Sequence, residues 1–115
     1  MPSTVVIGGF FGDEGKGKII SYLALHDKPS IVVRGGAGPN AGHTIKDGDK
    51  IYKVRMLPSG FLNKDAKVMV GPGVVVNPSV LLKEINDFDV EGRAFLDYNC
   101  GILRSHIKKL THKVD

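Results

Sequence analysis

The sequence has few features of a secreted or membrane-bound protein. It contains one cysteine, Cys100, in 115 residues, so no internal disulfide can form and nothing indicates an oxidising compartment. No apolar run approaches the roughly 20 residues that cross a bilayer. The first residues also lack the basic and long apolar segments of a secretory signal. We therefore expect a cytoplasmic protein with no membrane partner.

The sequence also lacks a strong excess of either charge. Sixteen basic and twelve acidic side chains give a net charge of +4, and the basic residues are spread over both halves of the chain. No helix-turn-helix, zinc-finger or RNP-type spacing is visible, so we expect no nucleic-acid partner. A contact with RNA through the carboxyl-terminal lysines is the weaker alternative, because a solvated helix face explains those residues more simply. A mildly basic protein equally suits a small anionic ligand.

Short β-branched runs alternate with segments of helical periodicity. Thr4–Ile7 and Ser30–Arg34 predict buried strands on either side of a helix, the order typical of a parallel sheet. The apolar face predicted for that helix consists of Ile19, Ile20, Leu23 and Ala24. Further predicted elements are a hairpin around Asp47-Gly48-Asp49, strands at 66–70 and 93–98, a helix capped by Asn77 with an apolar stripe of Leu81, Leu82, Ile85 and Phe88, and a final helix with Leu103, Ile107, Leu110 and Val114.

A glycine-rich turn, residues 8–18, joins the first predicted strand to the first helix. Such a turn directs backbone N–H groups and the positive end of the helix dipole toward a phosphate. Lys16 and Lys18 lie near the helix start, where a lysine is unfavourable unless an anion is normally present. These features predict a phosphate site, with solvated lysines on an ordinary turn as the weaker alternative.

The spacing of this turn differs from the usual P-loop. It has one extra residue before Gly15-Lys16, and Gly17 stands where a magnesium-binding Ser or Thr is expected. Asp13 is then the nearest candidate ligand for Mg²⁺ and a possible general base. Glu14 better fits an acid that the helix N-terminus stabilises.

A second glycine-rich loop, residues 35–44, follows the second predicted strand. Loops at the carboxyl ends of parallel strands meet at the same edge of a sheet, so both loops should border one crevice. Asn40 offers an amide to this crevice. His43 offers an imidazole that can donate a proton or stabilise developing charge.

The two loops closely resemble the amino-terminal signatures of the adenylosuccinate synthetase family. The matching residues are Gly12-Asp13-Glu14-Gly15-Lys16-Gly17-Lys18, Asn40-Ala41-Gly42-His43-Thr44, Pro58-Ser59-Gly60 and 71–78. Phe10-Phe11 stands where the family commonly has Gln-Trp, and the short hairpin region resembles the compact archaeal branch. The resemblance implies a P-loop NTPase-like α/β fold, with a mainly parallel sheet, crossover helices and an antiparallel hairpin. Residues 1–115 would be the amino-terminal part of a single domain that binds GTP and IMP.

The resemblance also implies a reaction and its residues. GTP phosphorylates O6 of IMP, and the amino group of L-aspartate then displaces phosphate at C6, the first committed step of AMP synthesis. Asp13 would take the N1 proton and bind Mg²⁺, His43 would be the acid near the departing phosphate, and the Gly42 carbonyl would be a second metal ligand. The implied GTP-binding residues are Gly12, Asp13, Glu14, Gly15, Lys16, Gly17, Lys18, Gly42, His43 and Thr44. The implied IMP-binding residues are Asp13, Glu14, Gly15, Lys16, Asn40, Ala41, Gly42 and His43.

Several elements of the family are missing from the sequence. We find no Gly-Thr-Thr-Gly-type loop, no arginine-rich aspartate loop and no Lys-x-Asp guanine element, so we expect an amino-terminal fragment that is inactive alone. The complete enzyme is expected to be a homodimer. A non-catalytic nucleotide- or phosphate-binding module and a related ligase for another purine nucleotide are the alternatives. Viral ligases of the latter kind lack the loop aspartate, so Asp13 favours IMP.

Overall fold

A computed structural model describes residues 3–9, 15–36 and 42–103 of the chain. Two α-helices, seven short strands and one 3-10 helix follow one another along these residues. In chain order they are α1 (Lys16–His26), β1 (Ile31–Arg34), β2 (His43–Asp47), β3 (Lys50–Val54), the 3-10 helix (Ser59–Leu62), β4 (Lys67–Val70), β5 (Val75–Val76), α2 (Pro78–Asp87), β6 (Ala94–Leu96) and β7 (Gly101–Ile102).

Strands β1, β4 and β6 form a parallel sheet in the order β1-β4-β6. Val32, Val68 and Val70 are buried on one face of this sheet, whereas Ile31 and Val33 alternate to the other face and are about half exposed. The sheet confirms the predicted α/β fold class. The strands predicted at 30–34, 66–70 and 93–98 are also confirmed, each shortened at one or both ends.

The strand predicted at Thr4–Ile7 is wrong. These residues have no regular secondary structure, and Val5 and Ile7 are each 81% exposed. β-branched residues favour a strand only where a partner strand supplies hydrogen bonds and a packing surface. No partner strand pairs with residues 4–7 within the described part of the chain. The parallel sheet is therefore not built from the strand–helix–strand unit that the sequence predicted.

The predicted hairpin is confirmed. Strands β2 and β3 pair in antiparallel fashion, with His43 opposite Val54 and Asp47 opposite Lys50. Gly48 takes a positive φ of 62° in the turn, a conformation that costs glycine little. Ile45 and Val54 turn inward, and each is 1% exposed. The hairpin thus places His43 at a fixed register against β3.

The predicted face of helix α1 is partly confirmed, since Ala24 is buried and Ile20 and Leu23 are half-buried. The buried residues of the helix are Gly17, Ser21 and Ala24, whereas Ile19 is 47% exposed. The helix packs closely against the 3-10 helix, because a Cβ placed on Gly60 would lie 3.0 Å from the Cβ of Ala24. Small side chains permit this close approach. Counting apolar residues alone therefore missed Gly17 and Ser21 and placed Ile19 on the buried face.

Helix α2 begins as predicted. The Asn77 side chain accepts hydrogen bonds from the backbone N–H groups of Ser79 (3.1 Å) and Val80 (3.4 Å), and Pro78 occupies the first turn. Its predicted apolar stripe is only partly correct. Leu81 is buried and Ile85 and Phe88 are half-buried, but Leu82 is 66% exposed. A carboxylate takes the inward position instead, since Glu84 is only 6% exposed.

One main hydrophobic core joins the hairpin, the sheet and α2. Its fully buried larger side chains are Ile45, Val54, Met56, Leu57, Val68, Val70, Val74, Val76 and Val90. Arg93 holds the 3-10 helix and the segment after it. Its guanidinium donates to the carbonyl oxygens of Phe61 (2.7 Å), Asn63 (3.1 Å) and Ala66 (2.8 Å). The final helix predicted from Leu103 to Val114 lies outside the described residues from residue 104 onward. Among the described helices, none has the length and apolar character needed to cross a membrane.

Candidate functional site

A glycine in a left-handed conformation, Gly15, directly precedes α1. Gly15 has φ 79° and ψ 21°, and its carbonyl accepts from the N–H groups of Lys18 (3.1 Å) and Ile19 (3.2 Å). A residue with a side chain would be strained at this φ, so glycine suits the point where the loop enters the helix. The N–H groups that precede the first hydrogen bond of an α-helix point out of its amino-terminal end, where an anion site lies.

Gly17 lies directly against His43. A Cβ placed on Gly17 would be 2.9 Å from the His43 Cβ and 3.1 Å from both Cγ and Nδ1 of its ring. Ordinary contacts between carbon atoms lie at about 3.5–4.0 Å. The absence of a side chain at residue 17 therefore allows the start of the helix and the imidazole to share one site.

His43 is the first residue of β2 and is partly buried. Burial lowers the pKa of its imidazole, and the positive charges of Arg34 and Lys16 lower it further. A lowered pKa favours the neutral form of the imidazole, in which one ring nitrogen carries a proton that it can donate in a hydrogen bond. Two cations close enough to act on this ring make the site favourable for an anion.

A cavity of about 230 Å³ lies between the start of α1, the end of β1 and the start of β2. Its polar and backbone lining comes from both glycine-rich loops, with the last residue of β1, and from the start of the 3-10 helix. The lining residues from these three segments are Lys16, Gly17, Arg34, Gly35, Gly36, His43 and Ser59. The described ends of the two loops therefore border one crevice, in agreement with the sequence prediction.

The structure brings together three of the predicted nucleotide-binding residues: Lys16, Gly17 and His43. The cavity lining does not include the other four described ones, Gly15, Lys18, Gly42 and Thr44. Thr44 is exposed and follows His43 in a strand, so its side chain is directed to the opposite face of the hairpin. The remaining predicted residues, Gly12, Asp13, Glu14, Asn40 and Ala41, lie outside the described residues. Their roles stay predictions.

Sequence reasoning assigned no role to two polar residues that line the cavity. Arg34 ends β1, and its guanidinium donates a hydrogen bond to the carbonyl oxygen of Arg55. Burial lowers the pKa of Arg34, and the carboxylate of Glu84 partly offsets that effect. Ser59 is 5% exposed and belongs to the Pro58-Ser59-Gly60 match. A charged residue at the end of a buried strand, immediately before a glycine-rich loop, is the signal that could have identified Arg34.

The residues that line the cavity can be compared with the ligands that the expected Mg²⁺ would need. A hard cation prefers carboxylate, carbonyl and phosphate oxygens. The described lining supplies the cationic side chains of Lys16 and Arg34, and among the described residues no group of three His, Cys, Asp or Glu side chains could hold a metal. This part of the site thus has the charge that suits the phosphates of a nucleotide, and Asp13, the predicted metal ligand, lies outside the described residues.

Comparison with known proteins gives a consistent result. The family model described as adenylosuccinate synthetase matches residues 5–109. The adenylosuccinate synthetase of Methanocaldococcus jannaschii is 54% identical over 113 residues, which are 96% of this chain and 33% of the relative. That of Archaeoglobus fulgidus is 56% identical over 110 residues, 94% of this chain and 32% of the relative. The chain therefore spans about a third of the length of the curated relatives that it matches.

Solved structures show the same similarity. The fully ligated adenylosuccinate synthetase of Plasmodium falciparum aligns with a TM-score of 0.78 at 35% identity, over 90% of this chain and 24% of that one. The succinoaminodeoxyadenylate synthetase of cyanophage S-2L aligns with a TM-score of 0.76 at 24% identity, over 90% of this chain and 30% of that one. At that lower identity the second likeness concerns the fold alone.

Proposed function

Since this chain belongs to the adenylosuccinate synthetase family, we propose that it forms the phosphate-handling part of a GTP-dependent ligase. The complete enzyme would join IMP to L-aspartate and release adenylosuccinate, GDP and phosphate. One observation carries the proposal: the start of α1, with Lys16 and Gly17, shares a single cavity with His43. Cytoplasmic location and a homodimeric state belong to the proposal as expectations from the family.

The described residues would act on the phosphates of GTP. The N–H groups at the start of α1 and the ammonium of Lys16 would bind and orient them, because a helix N-terminus favours negative charge. His43, held against Gly17, would donate a hydrogen bond or proton to the oxygen that leaves during phosphoryl transfer. Phosphoryl transfer depends mainly on such positioning and charge stabilisation.

The predicted residues outside the described part complete the scheme. Asp13 would remove the N1 proton of IMP, which makes O6 nucleophilic toward the terminal phosphate of GTP. The amino group of aspartate would then attack C6, and the phosphate that O6 had received would leave. When bound, Mg²⁺ would supply charge neutralisation on the phosphates, with Asp13 and the Gly42 carbonyl as its protein ligands.

Binding of GTP to the 115-residue chain in the presence of Mg²⁺ tests the proposal. We compare the wild type with Lys16→Ala and with the matched control Lys46→Ala, which removes an exposed lysine from β2. Loss of a charged hydrogen-bonding partner costs about 1.5–3 kcal/mol, so calorimetry should show roughly 10- to 100-fold weaker binding for Lys16→Ala. Lys46→Ala should stay within about twofold, since surface charges contribute little. Equal affinity for all three proteins would contradict the assignment of the cavity.

A second titration separates the proposed function from its alternatives. The same chain is titrated with IMP and with dGMP, one of the two nucleotides bound in the cyanophage structure, and each titration is repeated with Asp13→Ala. The proposal expects IMP to be preferred, and it expects that preference to weaken when Asp13 is replaced. A preference for dGMP would favour a ligase for another purine nucleotide. Nucleotide binding that does not change in Asp13→Ala would favour a non-catalytic module.

A further inference from the structure

Glu84 is a buried carboxylate that the proposed reaction does not use. It lies in the middle of α2 and is 6% exposed. Its two carboxylate oxygens accept from the backbone N–H of Met56 at 3.1 and 2.9 Å, and one of them also accepts from the N–H of Arg55. A buried charge is costly unless hydrogen bonds compensate it. The backbone N–H groups just after β3 thus offset the desolvation of the Glu84 carboxylate with hydrogen bonds.

Arg34 contacts the same part of the backbone. Its guanidinium donates to the carbonyl oxygen of Arg55, 21 residues away in sequence. The Glu84 carboxylate also acts electrostatically on this guanidinium. The N–H and the C=O of Arg55 are therefore both held by side chains of opposite charge, one from α2 and one from the end of β1. Charge-assisted hydrogen bonds of this kind are stronger than those between neutral groups.

The Arg55 backbone, which Glu84 and Arg34 hold, lies beside the candidate site. Arg55 directly follows Val54, and Val54 is the residue paired with His43 in the hairpin. Gly42 lies at the same end, because a Cβ placed on it would be 3.9 Å from the Val54 carbonyl oxygen. A movement of the Arg55 backbone would therefore act on Val54 and on its strand partner His43, which is also in close contact with Gly17.

We propose that Glu84 is a positioning residue of the candidate site. Together with Arg34 it fixes the Arg55 backbone, and through the Val54–His43 pair it holds the imidazole at the cavity wall. Glu84 contacts no ligand in this role. The role rests on the proposed function for its chemical purpose, whereas the contacts themselves can be tested without any nucleotide.

The test compares Glu84→Gln with Asp87→Asn. Glutamine keeps the size of the side chain but replaces one acceptor oxygen with a donor and removes the charge that faces Arg34. Asp87→Asn makes the same kind of change at an exposed position of the same helix. NMR spectra of the ligand-free chain report the His43 ring signals, assigned with a His43→Gln variant, and the hydrogen exchange of the backbone amides.

We expect the His43 ring signals to shift in Glu84→Gln and to stay in place in Asp87→Asn. The amides of β2 and β3 should exchange about tenfold faster or more in Glu84→Gln, as expected for the loss of a charged hydrogen bond. The amides of β1 and β4 should keep their wild-type rates. Unchanged His43 signals, or a uniform acceleration of all amides, would overturn the proposal, because a purely structural contact lowers stability without moving the ring.

Arg34→Lys keeps the experiment decisive if Glu84→Gln does not fold. Lysine retains the positive charge and leaves the Glu84 hydrogen bonds intact, but it cannot reproduce the planar guanidinium fork. Because Arg34 also acts directly on the His43 ring, the readout for this variant is the exchange of the β2 and β3 amides. Faster exchange there, with wild-type rates in β4, supports the positioning role, and wild-type rates in β2 and β3 overturn it. Either result is independent of nucleotide binding, so failure of the proposed function and failure of the positioning role remain distinguishable.

Discussion

Replacing Gly17 with alanine should displace His43 with little change in the stability of the chain. The new methyl group would lie 2.9 Å from the His43 Cβ and 3.1 Å from its Cγ and Nδ1. To reach an ordinary carbon–carbon separation, the helix start and the histidine must move apart by roughly 0.6 Å. The Cβ of histidine is fixed to the backbone, so a rotation of the ring cannot relieve the closest contact.

The net effect on stability follows from two opposing contributions. Overpacking of this kind costs about 1–3 kcal/mol, whereas alanine is favoured over glycine in a helix by about 1 kcal/mol. We therefore expect Gly17→Ala to lower the free energy of unfolding by only about 0–2 kcal/mol. The effect on the site should be larger in relative terms, since a displaced hydrogen-bond donor loses about 1.5–3 kcal/mol with a charged ligand. GTP affinity should fall by roughly 10- to 100-fold.

A double-mutant cycle isolates the contact. The cost of Gly17→Ala in chemical denaturation is measured in the wild type and in a His43→Gly background, which removes every histidine atom that the methyl group would meet. In that background the alanine should be neutral or stabilising, with a coupling energy on the order of 1–2 kcal/mol. An equal cost in both backgrounds, or wild-type His43 ring signals in Gly17→Ala, would refute the reasoning.

Three further predictions concern the cap, the histidine and turnover. Asn77→Ala removes the side-chain acceptor for the Ser79 and Val80 N–H groups and should lower the free energy of unfolding by about 1 kcal/mol. Lys83→Ala, on the exposed side of α2, should change it little. Urea denaturation measures both variants. In NMR titration of the ligand-free chain, the His43 pKa should lie below its ordinary value of 6.5. Because the unfolded chain then binds the proton more readily than the folded chain, the contribution of His43 to stability is complete above pH 6.5 and declines as the pH falls below it. A titration midpoint of the His43 ring at or above 6.5 would contradict this prediction. The chain spans about a third of its curated relatives, so an assay of it alone with IMP, GTP, aspartate and Mg²⁺ should show no turnover, and ordinary turnover would disprove the expectation.

Local signals in the sequence predicted those parts of the fold that local physics determines. The Asn77 cap, the turn at Gly48 and the start of α1 each depend on residues within a few positions of one another. The strand at Thr4–Ile7 failed because its formation needs a partner strand, which a short β-branched run cannot specify. Strand-forming preference is in large part a preference for such surroundings.

The candidate site divides in the same way. Lys16 and His43 were predicted because their residue types stand in unusual glycine-rich surroundings, and Gly17 followed from the family resemblance. Glu84 was not, because a carboxylate in a helical pattern normally indicates an exposed face. Its partners Arg55 and Met56 lie 29 and 28 residues away, so only the tertiary structure shows why this charge is buried.

The residues around the cavity favour the binding of an anion, and they lower the stability of the chain when no ligand is bound. Lys16 stands at the positive end of a helix, which costs about 0.3–1 kcal/mol, and glycine at position 17 costs up to about 1 kcal/mol relative to alanine. The pKa of His43 is lowered by burial and by two neighbouring cations, so the second proton, which would make the ring positively charged, is disfavoured. A bound phosphate offsets the two electrostatic costs, at Lys16 and at His43, because it adds negative charge where these groups meet. The cost of glycine at position 17 is conformational and remains. Lys16→Ala should therefore leave the Tm of the ligand-free chain unchanged or slightly raised while it weakens GTP binding. That combination separates a residue kept for a ligand from one kept for the fold.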